Sequence, residues 1–198
     1  MVKLKKDKKV YMIGGGGHSK IVYECLKLND YNLAGYCSLK KSKWLENIGV
    51  NFFSQNEIER IASNGEQFVI SFVGKNSIDL VRRFELMEKI KSLGGVFPNI
   101  IHKSSSVSKF ASISDGVQVL AGAVVNSFSK ISQGAIINSG AIVEHDVELA
   151  EGVHLAPGAI ALGSAKIGKF SYIGASAIVL PNTKVRSKSF VKAQEIKS

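Results

Sequence analysis

Two rules of hydrophobic spacing divide the chain. Between residues 9 and 99, short apolar runs alternate with segments of helical spacing. Lys9 to Ile13 reads as a strand, closed by Gly14, Gly15, Gly16 and Gly17, and His18 to Leu28 follows with Ile21, Val22, Cys25 and Leu26 on one helical face. Asn32 to Cys37 reads as a second strand, Asn56 to Ala62 as a short helix and Gln67 to Val73 as a third strand. Asn76 to Leu93 sets Ile78, Val81, Met87 and Ile90 among charges, the pattern of an amphipathic helix. Strands alternating with helices predict a parallel sheet, here an α/β, Rossmann-like domain spanning residues 1–99.

From Ile101 the period becomes six. Counting onward by hexads gives Ile101, Val107, Ile113, Val119, Val125, Ile131, Ile137, Val143, Leu149, Leu155, Ala161, Ile167, Ile173, Val179, Val185 and Val191. Fifteen of these sixteen are Ile, Leu or Val, types that make up about a quarter of ordinary sequence. The position four later is small or Val throughout, as at Ser105, Ala111, Val117, Ala123, Ala135, Ala159 and Ala177. Neither a 3.6-residue helix nor a period-2 hairpin sheet repeats every six, whereas a hexapeptide β-solenoid does. Residues 100–198 are therefore expected to form a parallel β-solenoid of about five triangular coils, three hexads to a coil. Aliphatic residues would fill its interior, small ones its tight corners. Gly116, Gly122, Gly134, Gly140, Gly152 and Gly158, each fourth in its hexad, suit turns with positive φ. Such a prism has flat faces that gain from packing against copies of itself, and a trimer is the natural expectation.

Composition narrows the class. The 26 basic and 16 acidic side chains give a net charge of +10, which calls for anionic partners: nucleic acid, an anionic membrane surface or phosphorylated metabolites. Lys3, Lys5, Lys6, Lys8 and Lys9 crowd the start, and a solvated tail accounts for part of the excess. No groove-entering motif or interleaved aromatics favour nucleic acid. Cys25 and Cys37 show neither CxxC nor zinc spacing, and no apolar run approaches a membrane span or a signal-peptide core. A reducing cytoplasm, without membrane insertion, is the expected compartment.

Chemistry has to come from residues that break the repeat. His145 is third in its hexad, at a corner, between Glu144 and Asp146. A carboxylate beside an exposed imidazole fixes its tautomer and raises its basicity, as a general base requires. His154 lies nine residues on, half of an eighteen-residue coil, so the two histidines occupy different faces of one chain and meet only across a subunit interface. A zinc site of the γ-type carbonic anhydrase kind needs three imidazoles, and this stretch supplies two, so no metal is expected. The glycine loop follows a strand and opens a helix, where backbone N–H groups cradle phosphate. As a dinucleotide fingerprint it fails, with Ser19 at the third glycine position and no acid ending the second strand. A nucleotide or phosphosugar touched by His18, or a tight turn with no ligand, both remain open at this point.

The Gly14 to His18 loop, the Phe97-Pro98-Asn99-Ile100-Ile101-His102 link, Asn138 seven residues before His145-Asp146, and His154-Leu155-Ala156-Pro157-Gly158 together resemble the NeuD/PglD family of sugar acetyltransferases. The resemblance implies a left-handed β-helix that binds acetyl-CoA, an N-terminal domain that binds a nucleotide-activated sugar, and a homotrimer with active sites between subunits. By that resemblance His145 is the general base and Asp146 the acid that supports it. Gly16, Gly17 and His18 hold the sugar nucleotide and Asn138 positions the acceptor, while His154, Ala175 and Ala193 contact acetyl-CoA. The Gly74-Lys75-Asn76 turn and Arg82 or Arg83 resemble a segment facing the sugar nucleotide. The chain departs from the family in two places. Cys37 and Ser38 stand where members acting on UDP-amino sugars carry an aspartate pair, and the glycine-rich C-terminal turn is replaced by Lys192 to Ser198. The activity implied is N-acetylation of a nucleotide-linked amino sugar for surface glycans. O-acetylation of a sialic acid is the alternative, and a non-catalytic solenoid the reading from a different class.

Overall fold

The structure, a computed structural model, describes residues 9–198; Lys3, Lys5, Lys6 and Lys8 of the expected basic tail lie outside the described residues. The chain divides into two compact units. One comprises the described residues up to Phe72 with Glu85–Pro98, the other Val73–Phe84 with Asn99–Ser198.

The first unit is a three-stranded parallel sheet in the order β2-β1-β3, from β1 (Lys9–Ile13), β2 (Asn32–Cys37) and β3 (Gln67–Ile70). Helix α1 (Gly17–Leu28) buries Ser19, Val22, Cys25 and Leu26, the spacing of one helical face. It ends at Asn29, whose Nδ2 donates to the Cys25 carbonyl at 2.8 Å. Helix α2 (Lys43–Asn47) was not foreseen, because five residues are too few to show a period. The helix expected over 56–62 starts as a 3₁₀ turn at Gln55–Glu57, boxed by Ser54 and Glu57, and continues as α3 (Ile58–Ser63). Helix α4 spans Ser77–Ser92, of which the part from Glu85 onward belongs to this unit. Ile13, Cys37, Phe53, Ile61, Phe68, Ile70, Met87, Ile90 and Phe97 form the core.

The second unit is the expected solenoid. Two-residue strands stack into three parallel sheets. The first face holds Ile100–Ile101, Gln118–Val119, Ile136–Ile137, His154–Leu155, Tyr172–Ile173 and Phe190–Val191. On the second lie Ser106–Val107, Val124–Val125, Ile142–Val143, Ile160–Ala161, Ile178–Val179 and Ile196–Lys197. The third holds Ser112–Ile113, Lys130–Ile131, Glu148–Leu149, Lys166–Ile167 and Lys184–Val185. Each strand pairs with the one eighteen residues away, as Ile136 does with His154. Up to Val191 the second residue of each strand points inward, and from Val119 to Val191 these residues form one buried core with small residues such as Ala135, Ala141 and Ala177. The small residues are thus interior neighbours of the corners, where only a short side chain fits beside the next coil's aliphatic.

Fourth positions adopt φ of 55 to 69° from Gly116 onward, whether the residue is glycine or, as at Phe128, Asp146, Ser164 and Asn182, not. The corner geometry therefore belongs to the coil, and Asp tolerates it because its short side chain bonds locally. Outward residues differ by face. The second face presents the partly exposed aliphatics Val124, Ile142, Ile160 and Ile178 and the exposed Ile196. The third presents a charge ladder, with Glu148 Oε1 at 3.8 Å from Lys130 Nζ and 3.1 Å from Lys166 Nζ. The hydrogen bond from Lys166 leads the effects that hold the Glu148 carboxyl below its usual range.

Candidate active site

In the solenoid, the turn between Ile142–Val143 and Glu148–Leu149 carries His145, with its side chain 62% exposed. Asp146, next in the turn, takes the left-handed conformation at φ 59°. This brings Asp146 Oδ2 to 2.9 Å from His145 Nδ1. A carboxylate only accepts, so the neutral imidazole carries its proton on Nδ1 and leaves Nε2 with a lone pair to take a proton. The ring lies over Gly163, one coil further on. A Cβ there would fall 2.7 Å from both Cε1 and Nε2 of His145. Gly163 has an ordinary φ, so its role is to leave room for the imidazole. Sequence reading missed it; the signal was a glycine eighteen residues after the histidine.

Asn138 and His154 meet on the first face, with Asn138 Nδ2 3.1 Å from His154 Nε2. The backbone N–H of Ser139 donates to Asn138 Oδ1 at 2.9 Å, which turns the amide NH2 toward the ring. That group donates, so Nε2 accepts. His154 is 2% exposed in the single chain, and the edge of Tyr172 packs at 5.1 Å between ring centroids. Ala175 and Ala193 stand one above the other at the corner that follows the first face, joined by Gln194 N–H to Ala175 O at 2.9 Å. Arg83 is buried, not facing a nucleotide: its guanidinium donates to the Gly134 carbonyl at 2.6 Å, and burial lowers it to about 10. Among the described residues, no group of three His, Cys, Asp or Glu side chains is gathered as a metal ion requires.

In the α/β unit, the four glycines behave differently. Gly14 has φ 118°, and a Cβ on it would meet Ser71 Oγ at 2.9 Å; one on Gly15 would meet Ser42 Cβ at 2.7 Å. A Cβ on Gly16 or Gly17 would meet nothing within 4 Å. Gly14 and Gly15 are therefore demanded by the fold, while Gly16 and Gly17 open helix α1 to its surroundings. That helix has no acidic residue in its first turn and no side-chain cap, so its N-terminal dipole favours an anion. Beside it lies a cavity of about 770 Å³ lined by Gly14, Gly15, Gly16, Cys37, Ser38, Lys40, Lys41, Gln55, Glu59 and Lys89, with Ile13, Ile58, Phe72, Leu86, Ile90 and Leu93 as its apolar wall. His18 is half-buried on α1 and is not among the lining residues. The positions of the missing aspartate pair, Cys37 and Ser38, do line it; burial pushes the Cys37 thiol up.

The comparisons agree with this architecture. Residues 9–83 match the PglD N-terminal domain. No curated protein sequence matches the chain. A mutant of perosamine N-acetyltransferase from Caulobacter crescentus, solved with CoA and GDP-perosamine, superposes with a TM-score of 0.86 at 28% identity, over 96% of this chain and 88% of that one. The acetyltransferase domain of PglB from Neisseria gonorrhoeae, solved with acetyl coenzyme A, gives 0.81 at 29% identity over 94% and 88%. WeeI from Acinetobacter baumannii, at 19% identity and 0.70, shares the fold. The fold and its structural matches define an acetyltransferase of the left-handed β-helix class. With its PglD N-terminal domain, the chain is similar to sugar acetyltransferases, consistent with the NeuD/PglD resemblance of its sequence motifs.

Proposed function

We propose that the protein transfers an acetyl group from acetyl-CoA to the amino group of a nucleotide-linked amino sugar, with His145 as general base. The observation that carries this reading is the His145–Asp146 pair at 2.9 Å, with Nε2 set over the space left by Gly163. Nε2 takes the proton of the attacking amine while its nitrogen bonds to the thioester carbonyl carbon. The tetrahedral species then collapses, the C–S bond breaks and the coenzyme leaves as its thiolate. Asp146 holds the tautomer and offsets the charge on the imidazolium. His154, with Ala175 and Ala193 along the following corner, contacts the coenzyme, and Asn138, hydrogen-bonded to His154, positions the acceptor. Gly16, Gly17 and His18 hold the sugar nucleotide at the α1 N-terminus, with the base in the 770 Å³ cavity. The neighbours that hold CoA with GDP-perosamine or acetyl coenzyme A support both ligands. No neighbour reported above is a sialic acid O-acetyltransferase.

The working unit in this reading is a homotrimer. The aliphatic stripe on the second face supports it, because a soluble chain gains by covering a row of Ile and Val with a second copy. In this reading the active sites lie between subunits, where one subunit's His154 serves beside another's His145. No helix among the described residues is long and apolar enough to cross a membrane, and the proposed place of the reaction is the cytoplasm.

Thiol release from acetyl-CoA, followed with a panel of GDP-, UDP- and dTDP-amino sugars, tests the proposal. Turnover with one of them is expected, with kcat lowered about 10²–10⁴-fold in His145→Ala. No turnover across the panel, or full activity in His145→Ala, overturns it.

A further inference from the structure

On the first face, the ring column that begins at His154 does not stop there. Tyr172 stands over His154, and Phe190 stacks on Tyr172 with centroids 5.2 Å apart and planes 8° from parallel. Tyr172 pairs with Phe190 in the ladder as His154 does with Tyr172, so the three side chains project from the same face in consecutive coils. Phe190, the last of them, is 53% exposed. A large apolar ring held flat and open to water at the end of a rigid stack is a surface without a protein partner in the single chain.

The charge around it is one-sided. Residues 100–165 hold three basic and five acidic side chains, whereas residues 166–198 hold seven basic and one acidic. Lys188 and Lys192 flank Phe190 at the two ends of its strand, and both are exposed. The single acid, Glu195, accepts the backbone N–H of Lys192 at 2.8 Å. Lys192 also precedes Ala193, at the corner along which Ala175 and Ala193 follow one another.

We infer that Phe190 is the platform on which the adenine ring of coenzyme A stacks, with Lys192 and Lys188 receiving its phosphates. The inference rests on the proposed use of acetyl-CoA and assigns the end of the coenzyme remote from the chemistry. Phe190 lies two strand spacings from His154, ~10 Å, within reach of a pantetheine arm whose thioester is at the His154 level. Stacking suits an adenine because it needs only a flat π surface, and the diphosphate and 3′-phosphate suit point charges on lysine.

Calorimetric titration of the full chain with CoA, 3′-dephospho-CoA and pantetheine tests this. Phe190→Ala is expected to weaken CoA about tenfold and to shrink its advantage over pantetheine by the same factor, while Phe190→Tyr restores both. Lys192→Gln should erase the preference for CoA over 3′-dephospho-CoA. An unchanged melting temperature for each variant shows that folding is not the cause. If the parent chain binds CoA and Phe190→Ala binds it equally well, the adenine platform is overturned and the coenzyme reading stands. If the parent chain binds no CoA, both fall.

Discussion

In the α/β unit the candidate site is a hollow. Loops after β1 and β2, with helices α3 and α4, end around about 770 Å³ of space, and the glycines nearest the sheet are required by the fold. In the solenoid it is a position. His145 occupies a corner that every coil possesses, and the core beneath it is the same as at any other corner. The difference lies in what each region can tolerate. Corner residues of a repeat pack against little, so a coil accepts a histidine, a carboxylate or a glycine there without disturbing its aliphatic interior. A hollow demands agreement among segments far apart in the chain, and small changes at its base disturb the fold. Glycine shows the contrast directly: Gly14 serves the backbone, Gly163 serves a side chain.

The strongest test of that contrast is Gly163→Ala. Its φ needs no glycine, but the added methyl carbon would sit 2.7 Å from two atoms of the His145 ring. Displacing the proposed general base is expected to lower kcat by about 10²-fold with no loss of melting temperature. A variant within twofold of the parent would show that the ring does not need its place over Gly163. The α/β glycines should split the other way. Gly14→Ala at φ 118° is expected to cost about 1–3 kcal/mol of stability. Gly17→Ala should melt no lower than the parent, since alanine is the better helix former by up to about 1 kcal/mol, yet bind the sugar nucleotide more weakly. If Gly17→Ala binds as the parent does, the open N-terminus of α1 is not where the ligand approaches.

The smallest effect is expected on the third face. Glu148 titrates below its usual range because Lys166 and Lys130 favour its ionised form. Its folded-state pKa is thus depressed, and the stability it contributes is present above the ordinary carboxylate range and lost as pH falls through the lowered value. Exposed pairs contribute little, so Glu148→Gln should lower the melting temperature slightly at pH 7, with the difference vanishing in acid. A large effect at pH 7 would mean that the charge ladder, and not only the core, holds the coils in register.

Much of this was legible beforehand, and the exceptions are instructive. β1 and β2 have the expected bounds, α1 and α4 fall within a residue of theirs, and the hexads reproduce the strands because each repeat meets only its neighbours. His145 and Asp146 were readable because they are adjacent in sequence and the corner brings them together. Helix α2 was hidden by its brevity. Gly163, third in its hexad, is not one of the expected corner glycines, and unlike Gly116 or Gly152 it does not serve a positive φ. Arg83 lies in a segment that resembles one facing a sugar nucleotide, and the structure makes it a buried donor to a carbonyl. The burial of His154 and its link to Asn138 were invisible because they depend on side-chain direction, not spacing.

By itself the sequence determined the solenoid's register, the parallel order of the α/β unit and the corner on which His145 stands. Those follow from local period, since a six-residue rule applied by a chain of fixed bond geometry leaves one way to stack. The tertiary structure alone decided where space remains: the cavity beside α1, the gap over Gly163 and the open face of Phe190. Empty space is set by what all the surrounding segments fail to fill, and no local rule in the sequence records it.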